Sequence, residues 1–300
     1  VEVVVAQGID VQNLDPAHVA GVPGLNAVWH LFEPLVTRNA DMQLEPALAT
    51  DWRQVDDLTW EFDLRPGVVF HNGKPFTAEA VKYSLERYFD PEVQSTSPFP
   101  KNVPLDRIEI VDDLTVRIIT QEPSPILPEL LVEYAWIVEP EHYSSNSLEY
   151  LAEHPVGTGP YMLESWQRDA QTVMVAFEDH WRGKPAIDRI IWRVIPNDGT
   201  RLAELQAGTV DIITNLPPDL ADDIDAREGL RVEAVQGGRP HLHRHAHRHG
   251  ALQRRSGAPG PQLRRRRPVD RRHDSGRLRP PDGRVRQPAV RASGPGTLSL

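Results

Sequence analysis

Amino-acid usage breaks after residue 238, and that break limits where a fold can form. Residues 239–300 contain no Lys, Glu, Asn, Ile, Met, Phe, Tyr or Trp, and they carry eight Pro and seven Gly. Fixing a residue's backbone costs roughly 1–2 kcal/mol, which burial of large apolar side chains must offset. The tail lacks most of those side chains, and its Pro and Gly interrupt helix and strand. A disordered segment is expected there, and a folded body over 1–238. Charge divides at the same point. Residues 1–238 hold 17 Lys+Arg against 40 Asp+Glu, a net of −23, whereas 239–300 hold 16 Arg against three Asp, a net of +13.

Three readings of the tail compete. Arginines at 264–267, with Arg271 and Arg272, could contact the phosphates of a nucleic acid. The alternating His241, His243, His245, His247 and His249 could bind a metal. The third reading is a GC-rich gene translated out of frame. The absent residue types include those with the most AT-rich codons. Reading one nucleotide further on, 249–267 can give TEPFNDVRVRQALNYAVDV and 277–284 can give GYGRPMA. Both look like globular sequence, and VRQALNYAV has a helical apolar rhythm. The out-of-frame reading is the one adopted.

In the body, 3–7 reads as a short buried strand and 21–24 (GVPG) as a loop. A helix is expected over 25–36, with Val28, Leu31, Phe32 and Leu35 on one face. VDDLT occurs at 55–59 and again at 111–115, each time as an Asp-Asp turn between alternating runs, so two hairpins are expected. In the first, Leu58, Trp60, Phe62 and Leu64 share a face. Thr77 is placed to cap a helix running to about Phe89, burying Val81, Leu85 and Tyr88. PVGTGP at 155–160 is a rigid loop, and strands follow at 171–177 and 188–195. Asp198 is expected to cap a helix that stops at Gly208. A strand is expected over 209–213, and Pro217 should start a short helix. Alternating strands and helices give an α/β body.

The chemistry available is sparse. There is no cysteine, hence no disulfide, thiolate metal site or Cys nucleophile. No run of 18 apolar residues occurs. Asp56, Asp57, Asp112 and Asp113 sit in turns, and Asp222 and Asp223 on a helix surface, so solvated acids are favoured over catalytic ones. The body histidines (His18, His30, His71, His142, His154, His180) lack metal-ligand spacing. No GxSxG elbow is present, and Gly157-Thr158-Gly159 lacks the Lys of a phosphate loop. No enzyme, cofactor or metal is expected; a binding protein is.

Several segments, in order, carry a resemblance: NLDP at 13–16, LFEPLV at 31–36, PALATDWRQVDDLTWEFDLRPGVVFHNGKPF at 46–76, TAEAV at 77–81, PVGTGPY at 155–161, HWRGKP at 180–185 and RLAELQAGTVD at 201–211. Together they resemble the extracytoplasmic solute-binding proteins of ATP-binding-cassette importers, in the dipeptide, oligopeptide and nickel group (family 5, cluster C). The shifted peptides VRQALNYAVDV and GYGRPMA resemble the family's next two blocks.

The resemblance implies a periplasmic-binding-protein-like fold of type II, built in three parts. Residues 1–42 and 155–238 would form the first lobe, with 43–154 as an attached subdomain. The second lobe would be missing, lost where the frame changes. The implied function is capture of a peptide or related small solute between two lobes and delivery to permease subunits. The protein would be a monomer outside the cytoplasmic membrane, held there only through a removed signal or lipid anchor. No nucleic-acid partner is implied. First-lobe candidates for solute contact are Val22, Pro23 and Gly24 at a cleft rim, Trp136 as a stacking surface (a core position being the alternative), and Thr214, Asn215 and Leu216 after a strand. A sensing or scaffold module, whose basic tail docks an acidic partner, is the other function left open.

Overall fold

A computed structural model describes residues 1–19, 21–39, 41–217, 220–227, 229–236 and 242–248. Strand β1 (Glu2–Gln7) leads through a loop to helix α1 (Gly21–Leu31) and a small hairpin, β2 (Val36–Arg38) with β3 (Leu44–Pro46). Then come β4 (Ala49–Gln54), β5 (Thr59–Leu64), α2 (Ala78–Arg87), α3 (Phe99–Asn102), β6 (Leu105–Asp112) and β7 (Thr115–Thr120). Three helices follow: α4 (Leu127–Tyr134), α5 (Pro140–Ser145) and α6 (Leu148–Leu151). The chain continues through β8 (Tyr161–Gln167), β9 (Gln171–Ala176), β10 (Arg189–Val194), α7 (Asp198–Ala207), β11 (Ile212–Ile213), α8 (Ala221–Asp225), β12 (Leu230–Gln236) and β13 (Leu242–Arg248).

A seven-stranded sheet runs β12-β13-β11-β1-β10-β9-β8, and a four-stranded sheet runs β4-β5-β7-β6. The larger sheet is parallel at its centre, where β1 lies between β10 and β11. Strand β1 is buried on both faces, as a parallel strand covered on both sides should be. Val3 and Val5 pack with Ala27, Val28 and Leu31 of α1, whereas Ala6 packs with Leu205 and Ile213. A separate core fills the smaller sheet: Phe62, Val116 and Ile118 pack with Val81 and Leu85 of α2 and Leu127 and Leu131 of α4.

Both Asp-Asp hairpins form. Leu58 N–H donates to Asp56 Oδ1 (2.9 Å) and Leu114 N–H to Asp112 Oδ1 (2.8 Å), so each turn is an Asx turn. On β5, Phe62 and Leu64 are buried as expected, Trp60 is half-buried, and Leu58 is exposed at the hairpin tip. The opposite face is less open than alternation predicts. Glu61 is 5% exposed because Arg53 and Arg117 close over its carboxylate.

The structure moves several boundaries. Residues 21–24 are not a loop but the first turn of α1, because Pro is tolerated where a helix N–H lacks an internal partner. The helix ends at Leu31, and Pro34 and Val36 lie beyond it. Asn197, rather than Asp198, caps α7, its Oδ1 accepting from Thr200 N–H at 2.9 Å. Gly208 ends that helix at φ 81°, as expected. Only Ile212 and Ile213 of the expected 209–213 strand are in β11, since Thr209 turns back to the Glu204 carbonyl. Helix α8 starts at Ala221, four residues after Pro217. Within the segment read as a structureless tail, Leu242–Arg248 forms β13, pairing with β12 on one side and β11 on the other. The remaining tail residues singled out above (His241, His249, 264–267, Arg271 and Arg272) lie outside the described residues.

Candidate functional site

The central strands β1, β10 and β11 run in one direction and end together at Gln7, Val194 and Ile213. In open α/β sheets, ligands bind outside such carboxyl ends, where loops diverge and backbone groups face solvent. Three loops meet there. Gly8, Ile9 and Asp10 leave β1, and Ile9 is 66% exposed. Pro196 and Asn197 lead into α7. Thr214, Asn215 and Leu216 leave β11.

Arg201 of α7 braces this edge from below. Its guanidinium donates to the carbonyls of Ile195 (2.7 Å) and Pro196 (3.1 Å) and pairs with Asp198. A Cβ on Gly8 would come within 2.9 Å of that guanidinium, so glycine lets β1 exit beside it. Arg201 Nε and Gln7 Oε1 are buried without a hydrogen-bond partner among the described residues.

The predicted rim residues fall at this end of the sheet. The carbonyl of Leu31, at the end of α1, accepts from Gly159 N–H, and Tyr161 pairs with Ala176. Ala176 N–H in turn donates to Asp188, and Asp188 N–H to Val1. The C-terminal end of α1 therefore lies at the amino end of β1, and its first turn, with Val22, Pro23 and Gly24, at the carboxyl end. Gly24 is buried against Val19, while Val22 and Pro23 are half-buried.

After β11, the three predicted residues differ in exposure. Thr214 is 5% exposed, with its N–H on the Ala6 carbonyl at 3.0 Å. Leu216 is buried in the core beside α7. Asn215 is exposed, at φ 54°. Trp136 is 2% exposed, a core position, and its ring meets Trp29 edge-on at 4.3 Å. Trp29 is the partner that shows a face to solvent.

At the opposite, amino end of the sheet, several motif blocks meet in a joint that local patterning does not anticipate. Glu33 Oε2 accepts from Thr158 Oγ1 (3.1 Å) and from the Trp181 indole (2.8 Å), and His180 Nε2 lies 3.4 Å from Oε1. Gly157 N–H donates to His71 Nδ1 at 3.3 Å, so His71 Nε2 carries the proton that Gly159 O accepts at 2.9 Å. Burial lowers the His71 pKa to about 4 and keeps the ring neutral. A Cβ on Gly157 would stand 2.2 Å from the Leu31 carbonyl oxygen, and one on Gly159 2.4 Å from that of His30. The glycines of PVGTGP are thus spaces for the end of α1.

The NLDP block makes a second joint. Arg87 of α2 forms a bidentate pair with Asp15 at 2.8 and 2.6 Å. Burial pushes the Asp15 carboxyl up, but hydrogen bonds from His18 and Arg87 and the Arg87 charge outweigh it and hold its pKa at about 2. The residues of the first joint all lay in motif blocks, and Asp15 lay in NLDP, but Arg87 lay in none, and the blocks did not say which would meet.

Among the described residues, no group of three or more His, Asp and Glu is placed to hold a metal ion. No described helix is long and apolar enough to cross a membrane.

The family model for bacterial extracellular solute-binding proteins, family 5, matches residues 43–255. Heme-binding protein A of Haemophilus influenzae is 35% identical over 221 residues, covering 66% of this chain and 40% of that protein. The probable D,D-dipeptide-binding periplasmic protein DdpA of Escherichia coli K12 is 32% identical over 240 residues, covering 76% and 46%. Among solved structures, the periplasmic binding protein DppA of Helicobacter pylori, in complex with the peptide STSA, superposes with a TM-score of 0.71 at 27% identity. That match covers 78% of this chain and 50% of the other. The chain therefore spans half or less of the length of these relatives. The family match over residues 43–255, with the shared α/β fold, places this chain in the family 5 bacterial extracellular solute-binding proteins.

Proposed function

We propose that this chain is the first half of a solute-capturing component of an ATP-binding-cassette importer, working outside the cytoplasmic membrane with permease subunits. The observation that carries this reading is the carboxyl edge of β10, β1 and β11. There Ile9 and Asn215 are exposed and two buried polar atoms lack partners, in a chain half as long as its solute-binding relatives. A second lobe closing on that edge would exclude water and let backbone groups of both lobes bond the solute. A peptide is the solute class we favour, since relatives named for dipeptides and a neighbour solved with STSA are among the matches. Val22, Pro23, Asn215 and the backbone around Thr214 would be this half's contribution. Trp136 is withdrawn as a stacking surface because its ring is covered.

We further infer the partition proposed from sequence. The seven-stranded sheet takes strands only from 2–7 and 161–248, and the four-stranded sheet only from 49–120. That supports a first lobe assembled from 1–42 and 155–238, with 43–154 attached, and extends its sheet by Leu242–Arg248.

The out-of-frame reading gains from β13. Its slot lies between two strands, yet its residues are Leu, His, Arg, His, Ala, His and Arg. Read one nucleotide further on, 241–248 can give TYIGMHTG, a stretch free of Arg that brings in Tyr, Ile and Met and continues into TEPFNDVRVRQ. We therefore infer that the residues in hand form one side of the solute site and do not hold a solute by themselves. Isothermal titration calorimetry with a pool of di- to pentapeptides should give no binding to this chain and micromolar binding to the frame-corrected protein. Micromolar binding to the chain as written would overturn the incompetence, and a stable corrected protein that ignores all peptides would point to another solute.

A further inference from the structure

A pocket of about 450 Å³ lies at the opposite end of the sheet from the solute edge. Trp29, Pro34, Pro160 and Pro185 give it apolar walls, and Arg182 and Lys184 stand at its margin. The loop that carries Arg182 and Lys184 enters β10 through Asp188, whose N–H bonds to the Val1 carbonyl. That fixes the pocket at the amino end of β1 and β10.

Beside it, two guanidiniums bracket one indole. Arg65 Cζ is 4.0 Å and Arg182 Cζ 4.4 Å from the Trp181 ring centroid. Neither arginine makes an ion pair among the described residues, although Arg87, Arg117, Arg189 and Arg201 each hold a carboxylate. Scarcity of acids is not the reason, for residues 1–238 carry a net −23. Glu33 is an acid that lines the pocket itself, but its oxygens already serve Thr158, Trp181 and His180. Lys184 is balanced by Glu178 and Asp188. Burial and the Arg182 charge both depress the Arg65 pKa, with Glu33 opposing, the pattern of a cation pair still short of counter-charge.

We propose that this pocket docks an acidic protein segment: an apolar side chain enters between Trp29 and the prolines, and a neighbouring carboxylate meets the Arg65–Arg182 pair. A bare anion would leave the apolar walls uncovered, whereas an acidic segment with an apolar residue satisfies both. Because the pocket is at the far end from the carboxyl edge, docking there leaves a solute site free.

The test titrates the full 300-residue chain, 15N-labelled, with the blocked peptide acetyl-EDLPDE-amide and its neutral analogue acetyl-QNLPNQ-amide. The acidic peptide should move the indole N–H resonances of Trp29 and Trp181, assigned with Trp29→Phe and Trp181→Phe, and the neutral one should move neither. Arg182→Gln, at an exposed site, should weaken binding by about tenfold with an unchanged circular-dichroism melt, as loss of a charge partner beside apolar surface does. Arg65→Gln should weaken it similarly, and Lys184→Gln by less than about twofold. Equal shifts with the neutral peptide, unchanged affinity in both arginine variants, or full displacement of the peptide by sodium acetate at equal carboxylate concentration would each overturn the proposal.

Discussion

Strands β5 and β13 occupy the same kind of position, each with a hydrogen-bonded neighbour on both sides, yet their sequences have little in common. Strand β5 reads TWEFDL. Its apolar residues alternate, Phe62 and Leu64 enter a core, and the charge on its other face is met by Arg53 and Arg117. Strand β13 reads LHRHAHR, with three His and two Arg. The backbone ladder accepts both, because N–H and C=O groups are the same whatever side chain they carry. Side chains decide how firmly a strand is held there. A strand in a slot is therefore weaker evidence of a native sequence than a strand whose alternation matches its two faces.

Three measurements would sharpen or break that contrast. The largest effect is expected at Phe62→Ala, which empties a fully buried site and should cost about 3–5 kcal/mol in urea unfolding. A loss under about 1 kcal/mol would mean that the small sheet's core is not what holds it.

The next concerns pH. The neutral, half-buried His71 ties the hairpin core to the PVGTGP loop. Its folded pKa of about 4 is below the ordinary 6.5, so the unfolded chain binds the proton more readily. The stability it contributes is complete above pH 6.5 and falls as pH drops toward 4, by about 3 kcal/mol. His30, lowered by burial, acts in the same direction. His18 acts oppositely, its pKa raised by the hydrogen bond to Asp15, so its contribution is present below pH 6.5 and fades above. Chemical unfolding between pH 7 and 4 should show the loss, and His71→Gln should flatten most of it. A slope unchanged in that variant would remove His71 from the account.

The smallest effect is expected at β13. Deleting 239–300 should change the stability of the body by less than about 1 kcal/mol, with hydrogen exchange at the Phe62 and Val116 amides unaltered. A loss of several kcal/mol would show that β13 holds the sheet as firmly as β5 holds its own, and the out-of-frame reading would lose its physical support.

Much of this was legible from residues alone wherever the physics is local. Asx turns, alternation on β5 and β7, and the αL glycine at 208 depend on neighbours a few positions apart, and they appear where the patterns put them. Local rules also misled. Gly-Val-Pro-Gly reads as a loop by composition, yet a helix begins there, since Pro at a first turn costs no hydrogen bond. Two adjacent acceptors, Asn197 and Asp198, could each cap α7, and backbone direction chose Asn197.

The sequence by itself determined the family, the two hairpins, the absence of cysteine chemistry and the break in composition, because motif order, alternation and residue supply are one-dimensional properties. Only the tertiary structure decided that Trp136 is covered while Trp29 is open, and that Glu33 meets Trp181 across 148 residues. It also decided that Asp15 holds Arg87 and that Arg65 and Arg182 share one indole. Those pairings depend on which distant surfaces the fold presses together, and burial then sets the strength of each charge and hydrogen bond.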